Sequence, residues 1–518
     1  MLKEVELYLS PHQALQKNNF LNYIVQDSDI KKESIKDFHV LKKAVDARKR
    51  PVKIYFKFLI FIDELPSVEE EQVLFRNVSD KRKVHIIGCG PAGLFAALEF
   101  IKAGIKPIIF ERGKKISERK IDIAQLNSLH LLNDDSNYCF GEGGAGTFSD
   151  GKLYTRSKKK GDIQSILKTF VDHGASTEIL YDASPHIGTD VLPRVIISIR
   201  ETILKYGGEI HFNSKLTDIE IRNNAVKAIV INNTESYDVK ALVLATGHSA
   251  RDIYYLLHKK GVFLEPKAFA LGVRAEHPQE LINSIQYHCK DYDRMLPPAQ
   301  YKLVEQVNGR GVFSFCMCPG GIIVPSATAQ NEIVVNGMSN SKRNSPFANA
   351  GIVVQINTDD NLGFKESGPL HLLSFQESIE KKCFAEKKSS QTAPAQRMVD
   401  FVKGKLSTSL PDTSYNPGVK SMMLENILPP FIGVSLKKAF VAFDKKMRGY
   451  FTNESILIAT ESRTSSPVRI TRNNESYEHI QVKRLYPCGE GSGYAGGITS
   501  SAVDGINCAK AVIGGFNS

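Results

Sequence analysis

The spacing of hydrophobic residues in residues 1–80 predicts a small module of strands and a helix. Alternation of hydrophobic and polar residues at Val5–Leu9 predicts a strand, and hydrophobic residues at helical spacing in Pro11–Val25 predict a helix. Two further runs, Phe38–Val45 and Val52–Ile62, predict a pair of strands joined by a basic turn. We therefore expect a compact α+β unit at this end of the chain.

The next part of the chain, residues 81–265, shows a βαβ pattern. The acidic stretch Ser67–Gln72 is predicted to be part of the linker that precedes it. The hydrophobic run Val84–Ile87 predicts a buried strand, Ala92–Ala103 a helix, and Lys106–Phe110 a second strand. Strands that alternate with helices in this way are typical of a parallel sheet.

Residues 266–453 follow a different pattern, with short strands separated by turns and longer loops. After them, Arg484–Cys488 again predicts a buried strand, and Thr499–Ile513 predicts a helix. The order predicts an α/β fold in which a Rossmann-type domain, formed by residues 81–265 and 454–518, is interrupted by a β-rich α+β insertion. The N-terminal module precedes this domain.

Composition and cysteine content narrow the class of protein. Hydrophobic residues make up 42% of the 518 residues and charged residues 24%, which is ordinary for a globular protein. No hydrophobic run is long enough for a membrane helix, and Met1–Glu6 has acids where a signal peptide has basic residues. Eight cysteines without a CxxC pair predict reduced thiols. We therefore expect a cytoplasmic protein without a membrane partner.

The formal net charge of +11 leaves open whether the partner is an anion. The lysines lie in scattered groups, such as Lys158–Lys160, Lys381–Lys382 and Lys387–Lys388, without aromatic residues between them. This dispersal favours a solvated basic surface over a nucleic-acid footprint. We do not expect nucleic acid as a partner, whereas a nucleotide cofactor would also benefit from positive potential.

The strongest motif is the GxGxxG sequence within Val84–Leu94. It follows a predicted strand, opens a predicted helix, and is followed by an acid at the end of the next strand, Glu111. Gly88 allows a tight turn, Gly90 allows the backbone to approach a pyrophosphate, and Gly93 allows the helix to pack on the strand. The helix N-terminus offers free N–H groups to phosphates, and Glu111 could accept hydrogen bonds from ribose hydroxyls.

Three other segments have the composition of nucleotide-contacting loops. Gly141–Gly146 also matches GxGxxG, but no strand precedes it and no helix follows, so we predict a loop against a ligand rather than a second dinucleotide turn. Ala245–Gly247 ends a predicted strand. Leu485–Ile498 combines a buried strand, a Gly-Glu pair and a glycine-rich turn before a helix, where Glu490 could hold polyol hydroxyls.

Together these motifs resemble the two-dinucleotide-type FAD-binding fold of glutathione-reductase-like flavoproteins. Glu111–Gly113, Phe140–Lys152, Phe315–Gly321 and Arg463–Arg469 more closely resemble the bacterial FAD-dependent dehydrogenase family, whose members are largely uncharacterised and carry a small N-terminal module. The resemblance covers nearly the whole chain. It implies an FAD cofactor with contacts at Gly88, Gly90, Pro91, Ala92, Gly93, Glu111, Arg112, Gly144, Ala145, Gly146, Thr147, Gly247, Gly489, Glu490, Gly497 and Ile498.

These motifs predict an FAD-dependent oxidoreductase that transfers hydride or electrons through flavin N5 to or from an unknown small molecule. No second strand-GxGxxG-helix unit is present, so NAD(P)H is possible as a partner but has no motif of its own. A flavin-dependent RNA-modifying enzyme and a non-catalytic FAD-binding regulator are the alternatives, because a fold alone does not determine function.

Few residues outside the cofactor motifs predict chemistry. Cys316 and Cys318 would share one face of a regular strand, and we expect them to pack as small buried residues, with a thiol near the flavin as the alternative. His248 could donate a proton or only line the cofactor surface. Arg463 and Arg469 could bind an anionic substrate or pair with carboxylates. We predict no catalytic residue and no metal site.

Overall fold

The computed structural model describes residues 1–66, 74–154, 161–289, 294–385 and 390–517. The predicted acidic linker Ser67–Gln72 and the lysine groups Lys158–Lys160 and Lys387–Lys388 lie outside these ranges. The fold is mixed α/β, with parallel and antiparallel sheets. Within the described ranges, no helix is long and apolar enough to cross a membrane.

The strands of the described residues are numbered here in chain order. They are β1 Leu2–Leu9, β2 Ile35–Asp46, β3 Lys53–Ile62, β4 Lys83–Ile87, β5 Lys106–Phe110, β6 Glu209–His211, β7 Leu216–Arg222, β8 Ala225–Ile231, β9 Glu235–Asp238, β10 Leu242–Leu244, β11 Leu264–Pro266, β12 Phe269–Pro278, β13 Val304–Val307, β14 Arg310–Cys318, β15 Gly321–Pro325, β16 Val335–Ser339, β17 Phe347–Ile356, β18 Ala393–Arg397, β19 Val419–Ser421, β20 Ile456–Glu461, β21 Val468–Ile470 and β22 Leu485–Pro487.

The α-helices are numbered in the same way. They are α1 Pro11–Leu15, α2 Phe20–Gln26, α3 Pro91–Lys102, α4 Ile116–Leu129, α5 Ile163–Asp172, α6 Leu192–Lys205, α7 Arg251–Lys259, α8 Gln279–Gln286, α9 His371–Ala385, α10 Met398–Lys403, α11 Pro430–Lys446 and α12 Ile498–Asn517. The predicted strands at β4 and β5 and the predicted helices at α3 and α12 are confirmed. The single helix predicted for Pro11–Val25 is instead divided into α1 and α2 by a 3₁₀ turn at Lys17–Asn19.

A five-stranded parallel sheet carries the dinucleotide motif, with strand order β22-β10-β4-β5-β6. Its register aligns the last residues of four strands, Ile87, Phe110, Leu244 and Pro487. The residues that follow these strands therefore meet at one edge of the sheet. Ligands of open parallel sheets bind outside this carboxyl edge.

Each face of the parallel sheet is covered by a different layer. Val84 and Ile86 of β4 point into a core shared with α3, α5, α6 and α12. Ile87, on the other face, packs in a core with α7 and the antiparallel sheet β7-β8-β9. Burial on both faces explains why β4, β5 and β10 are continuous hydrophobic runs rather than alternating ones.

A second large sheet has seven strands in the order β13-β14-β17-β12-β20-β18-β19, and only β18 and β19 are parallel to each other. Its last strand along the chain, β20, pairs with β12 and lies after residue 453, where we placed the end of the inserted domain. The three strands β1, β3 and β2 form a separate antiparallel sheet within the predicted N-terminal module. The domain boundaries themselves stay a prediction.

A buried histidine in the seven-stranded sheet predicts sensitivity to acid. His277 on β12 is fully buried, and its Nε2 donates to the carbonyl of Tyr450 at 2.9 Å. Burial lowers the pKa of His277 from 6.5 to about 4, because the charged ring is poorly solvated there. As pH falls from 6.5 towards 4, the unfolded chain binds a proton that the folded chain does not, so stability falls by about 1.4 kcal/mol per pH unit.

We therefore expect the His277→Gln variant to lose less thermal stability than the parent chain between pH 6.5 and 4. Melting temperatures measured across this range would check the difference. His12→Gln is the matched control, because His12 is exposed. Equal acid sensitivity of the parent and His277→Gln would contradict the prediction.

Candidate functional site

A cavity of about 370 Å³ opens at the carboxyl edge of the parallel sheet, and most of the predicted FAD contacts line it. Gly93 and Thr147 do not belong to the lining. Those that line it are Gly88, Gly90, Pro91, Ala92, Glu111, Arg112, Gly144, Ala145, Gly146, Gly247, Gly489, Glu490, Gly497 and Ile498. The chain thus brings residues from five separate segments to one cavity.

The turn between β4 and α3 shows why each of its glycines is needed. A Cβ at Gly88 would lie 2.4 Å from the carbonyl oxygen of Ala245, and Gly88 has a φ of +104°. A Cβ at Gly93 would lie 2.0 Å from the carbonyl oxygen of Gly88, so Gly93 serves helix packing. At Gly90, in contrast, a Cβ would meet nothing closer than the Cα of Gly144 at 3.9 Å. Gly90 therefore leaves space for a ligand at the N-terminus of α3.

Glu111 is a buried acceptor that ties three loops together. Its Oε2 accepts a hydrogen bond from the backbone N–H of Cys89 at 2.8 Å. Its Oε1 accepts from the N–H groups of Gly113 at 2.9 Å and Gly141 at 3.0 Å. A carboxylate has about four acceptor positions, so one further donor, such as a ribose hydroxyl, can still be bound. The sequence motif gave no indication that Glu111 would accept these three main-chain hydrogen bonds.

The loop of residues 137–144 is held by an arginine that the sequence did not indicate. Arg119 on α4 is fully buried, and its guanidinium donates to four carbonyl oxygens at 2.7–2.9 Å, those of Asn137, Tyr138, Glu142 and Gly144. Burial lowers the pKa of Arg119 to about 10, which leaves it charged at neutral pH. The guanidinium therefore fixes the backbone of the glycine-rich loop.

Glu142 and Thr147 stabilise the same loop from the other side. The carboxylate of Glu142 accepts from the N–H of Ile116 at 2.8 Å, at the start of α4, and from Arg200 at 2.9 Å. Burial raises the pKa of Glu142, whereas these donors oppose the shift. The hydroxyl of Thr147 donates to the carbonyl of Glu142 at 2.8 Å. Thr147, implied by the resemblance as an FAD contact, thus lies buried beneath the loop.

The closing motif brings a second acid into the cavity. Glu490 follows β22, and its carboxylate lies 3.4 Å from Nδ1 of His248, which also lines the cavity. The two loops cross closely, because a Cβ at Gly491 would lie 2.5 Å from the carbonyl oxygen of Gly247. Gly497 and Ile498 then present the N-terminus of α12 to the cavity.

The arginines considered as substrate ligands are engaged with carboxylates. Arg463 lines the cavity, but its guanidinium lies 3.1 Å from both Glu332 and Glu380. Arg469 lies 3.9 Å from Glu265. Arg112 lines the cavity while pairing with Asp252, and its guanidinium lies 4.4 Å from the centre of the Phe140 ring. Pairing with carboxylates is therefore the interpretation that the structure favours for Arg463.

The remaining cavity wall is formed mainly by residues outside the parallel-sheet motifs. Lys152, Tyr154, Phe315, Cys316 and Asn336 are among them. Strand β14 is not regular here: one extra residue lies between Phe315 and Cys318 relative to β17. The strict alternation that we assumed for Cys316 and Cys318 is therefore broken. Cys316 lines the cavity, and Cys318 is fully buried.

The cavity can accommodate an extended dinucleotide along its glycines. Among the described residues, chain neighbours aside, no atom lies within 4 Å of the position that a Cβ would occupy at Gly247, Gly496 or Gly497, all of which line the cavity. Together with Gly90, these positions leave space where side chains would otherwise project. The N-termini of α3 and α12 add free N–H groups and positive dipole ends at the same edge. The residues present fit an anionic dinucleotide.

Comparisons with known proteins agree with this interpretation. Residues 268–464 match the family described as FAD-dependent protein, C-terminal domain-like, and residues 1–61 match a domain of unknown function, DUF8436. The chain is therefore an FAD-dependent protein, and its cofactor is FAD. An uncharacterized protein of Clostridium beijerinckii is 40% identical over 514 residues, which cover 95% of each chain. The chain belongs to the same family as this protein.

Two solved structures to which this chain is similar have very low sequence identity to it. A mutant of the halogenase PltM in complex with FAD is 10% identical, with a TM-score of 0.40, over 85% of this chain and 70% of that chain. The tetracycline destructase Tet(51) is also 10% identical, with a TM-score of 0.34, over 84% of this chain and 82% of that chain.

Proposed function

We propose that this protein is an FAD-dependent oxidoreductase that acts as a dehydrogenase on a small-molecule substrate. The observation that carries the proposal is the convergence of Glu111, Glu490 and the open glycines on one cavity at the carboxyl edge of the parallel sheet. When bound, FAD supplies a centre that accepts or donates hydride or electrons at flavin N5. The protein supplies binding, orientation and a shaped cavity.

The proposed cofactor contacts divide into groups with different roles. The turn at Gly88, Gly90, Pro91 and Ala92 would hold the pyrophosphate at the N-terminus of α3. Glu111 and Arg112 would hold the adenosine part, and Glu490 with Gly489 the ribitol. The remaining contacts would be Gly144, Ala145, Gly146, Gly247, Gly497 and Ile498. Gly93 and Thr147 would act indirectly, by shaping the turn and the loop.

The domain arrangement that we propose places a substrate between two parts of the chain. Residues 81–265 and 454–518 would form a Rossmann-type FAD-binding domain, and residues 266–453 an inserted substrate domain. Phe315 and Asn336 reach the cavity from the insertion, while Lys152 and Tyr154 reach it from the FAD-binding part. These side chains would bind and orient the substrate and exclude water. Residues 1–80 would form the separate N-terminal module.

The purified full-length protein is expected to be yellow, with FAD released intact on denaturation. NADH and NADPH should bleach the flavin slowly and without saturation under anaerobic conditions, because the sequence contains one strand-GxGxxG-helix unit rather than two. A visible spectrum and anaerobic stopped-flow mixing would test both. Rapid, saturable bleaching by either nucleotide would contradict the second expectation and indicate a nicotinamide site.

The alternatives make different predictions in the same preparation. A flavin-dependent RNA-modifying enzyme should retain RNA in buffers of raised salt, whereas dispersed basic residues would release it by counterion competition. A non-catalytic regulator should hold FAD that no panel of alcohols, amines or thiols reduces. The cytoplasmic location predicted from the sequence stays a prediction.

A further inference from the structure

Two cysteines separated by a single residue lie at the cavity wall, one lining the cavity and the other buried. Cys316 is partly accessible and lines the cavity, whereas Cys318 is fully buried. The thiol of Cys318 donates a hydrogen bond to the carbonyl oxygen of Cys316 at 3.3 Å. Both are free thiols in the structure. A cavity-facing thiol is thus backed by a second thiol that solvent does not reach.

The backbone of β14 directs Cys316 out of the regular pleat. The extra residue between Phe315 and Cys318 is a β-bulge, and Cys316 has a φ of +48°, which is uncommon for a residue other than glycine. Bulges re-aim side chains next to functional sites. The guanidinium of Arg274 supports this geometry by donating to the carbonyl of Cys316 at 2.8 Å.

The surroundings make the two thiols chemically unequal. Interaction with the Cys318 side chain, together with the positive charges of Lys152 and Arg274, lowers the pKa of Cys316 against the effect of burial. The same interaction, together with burial, raises the pKa of Cys318 well above its ordinary value. Cys316 is therefore the more acidic thiol of the pair, and Cys318 the less acidic one. A low-pKa, accessible cysteine beside a second one is typical of redox-active pairs.

We propose that Cys316 and Cys318 form a redox-active dithiol that exchanges with small disulfides entering the cavity. Cys316 is the attacking thiolate and Cys318 the resolving thiol. The proposal deepens the proposed function, on which it rests for the role of the cavity, by naming thiols and disulfides as the substrate class. The exchange itself involves only protein sulfurs and the disulfide.

The exchange takes place in two balanced steps. The Cys316 thiolate attacks one sulfur of a disulfide RSSR, so that a Cys316–SR mixed disulfide forms and RS⁻ leaves. Cys318 then loses its proton to RS⁻, attacks the Cys316 sulfur, and expels the second RS⁻. In sum, the dithiol is oxidised to a Cys316–Cys318 disulfide while RSSR is reduced to RSH and RS⁻. Dithiothreitol should reverse the reaction.

The test uses the full-length protein with oxidised glutathione as the disulfide. Reduced, desalted protein is exposed to it anaerobically, alkylated with iodoacetamide and digested with trypsin. The peptide 311–342 contains Cys316 and Cys318 as its only cysteines. We expect this peptide to be unalkylated and lighter than its dithiol form by the mass of two hydrogens. Two molecules of reduced glutathione should be released per chain.

Variants separate the two roles. Cys318→Ala should stop at a glutathione mixed disulfide on Cys316, and Cys316→Ser should abolish the reaction of this peptide. Lys152→Met and Cys318→Ala should shift the pH midpoint of Cys316 alkylation upwards by a unit or more. Cys289→Ser, which changes a partly accessible cysteine outside the cavity lining, should leave the exchange unchanged.

Parent protein in which both cysteines remain alkylatable after treatment would overturn the proposal. A pH midpoint of about 8.5 for the alkylation of Cys316 would also overturn it, because that is the value of an ordinary, unactivated cysteine. Because the exchange can be measured on FAD-stripped full-length protein as well, its failure is distinct from failure of the proposed function. Yellow protein without exchange rejects the dithiol alone, whereas exchange in protein that never binds FAD rejects the flavoenzyme alone.

Discussion

Replacing Gly90 with leucine should yield folded protein that is nearly colourless. Gly90 has a φ of −83°, which any residue adopts, and the nearest atom that its Cβ would meet in the described part of the chain, its neighbours aside, is the Cα of Gly144 at 3.9 Å. The leucine side chain would therefore project into the cavity, where the pyrophosphate is proposed to approach α3. Overpacking of this kind costs about 1–3 kcal/mol, so FAD affinity should fall by roughly 5- to 150-fold.

The measurement is the ratio of FAD to chain in purified protein, followed by titration of the stripped protein with FAD. Gly514→Leu is the matched control, because Gly514 is an exposed glycine of α12 with no atom near its Cβ position. Its FAD content should equal that of the parent. If Gly90→Leu also retained full FAD, the pyrophosphate would have to lie elsewhere.

The convergence of most predicted FAD contacts on one cavity could be foreseen from the sequence because its determinants are local. A strand, a glycine turn and a helix lie within Val84–Leu94, and parallel strands present their carboxyl ends at one edge, which brings Glu111 and Gly489 to the same place. The periodicity of hydrophobic residues and the spacing of the motifs are therefore enough to predict this arrangement, and no knowledge of long-range contacts is needed.

The supports of the cavity could not be predicted in the same way. Arg119 is separated from the carbonyls that it binds by 18 to 25 residues, and Glu142 from Arg200 by 58. An arginine in a helix normally lies on a solvent-exposed face, and nothing in the local pattern marks this one as buried. Its role depends on the loop folding back over α4, which is a tertiary event.

The bulge in β14 is a further limit of pattern-based prediction. In a regular strand, the side chains of Cys316 and Cys318 would point to the same face of the sheet. One extra residue between Phe315 and Cys318 breaks this alternation, so the prediction no longer applies. The turn Pro319–Gly321 gives little warning, because its glycines are also needed for packing: a Cβ at Gly320 would lie 1.7 Å from the carbonyl oxygen of Arg343. The chemical inequality of the two thiols follows only from the three-dimensional arrangement.

Replacing Arg119 with methionine should destabilise the FAD-binding part of the protein and deplete its FAD. Methionine fills a similar volume but removes the guanidinium from four carbonyl oxygens of the 137–144 loop, of which only that of Glu142 keeps a buried side-chain donor, the hydroxyl of Thr147. A buried acceptor left without its donor costs about 1–3 kcal/mol, so with several such carbonyls we expect a loss of about 3–5 kcal/mol. For a domain of this size, we expect the first thermal transition to fall by roughly 6–20 °C.

Differential scanning calorimetry of FAD-stripped protein separates this loss from any loss of cofactor. Lys120→Met is the matched control, because Lys120 is the exposed neighbour of Arg119 on α4 and should change stability by no more than about 0.5 kcal/mol. The stripped Arg119→Met protein should also regain less FAD than the control, since Gly144 belongs to the cavity lining and loses its anchor. Equal melting of the two variants would mean that water or a rearranged side chain satisfies the four carbonyls, and that the loop does not depend on the guanidinium.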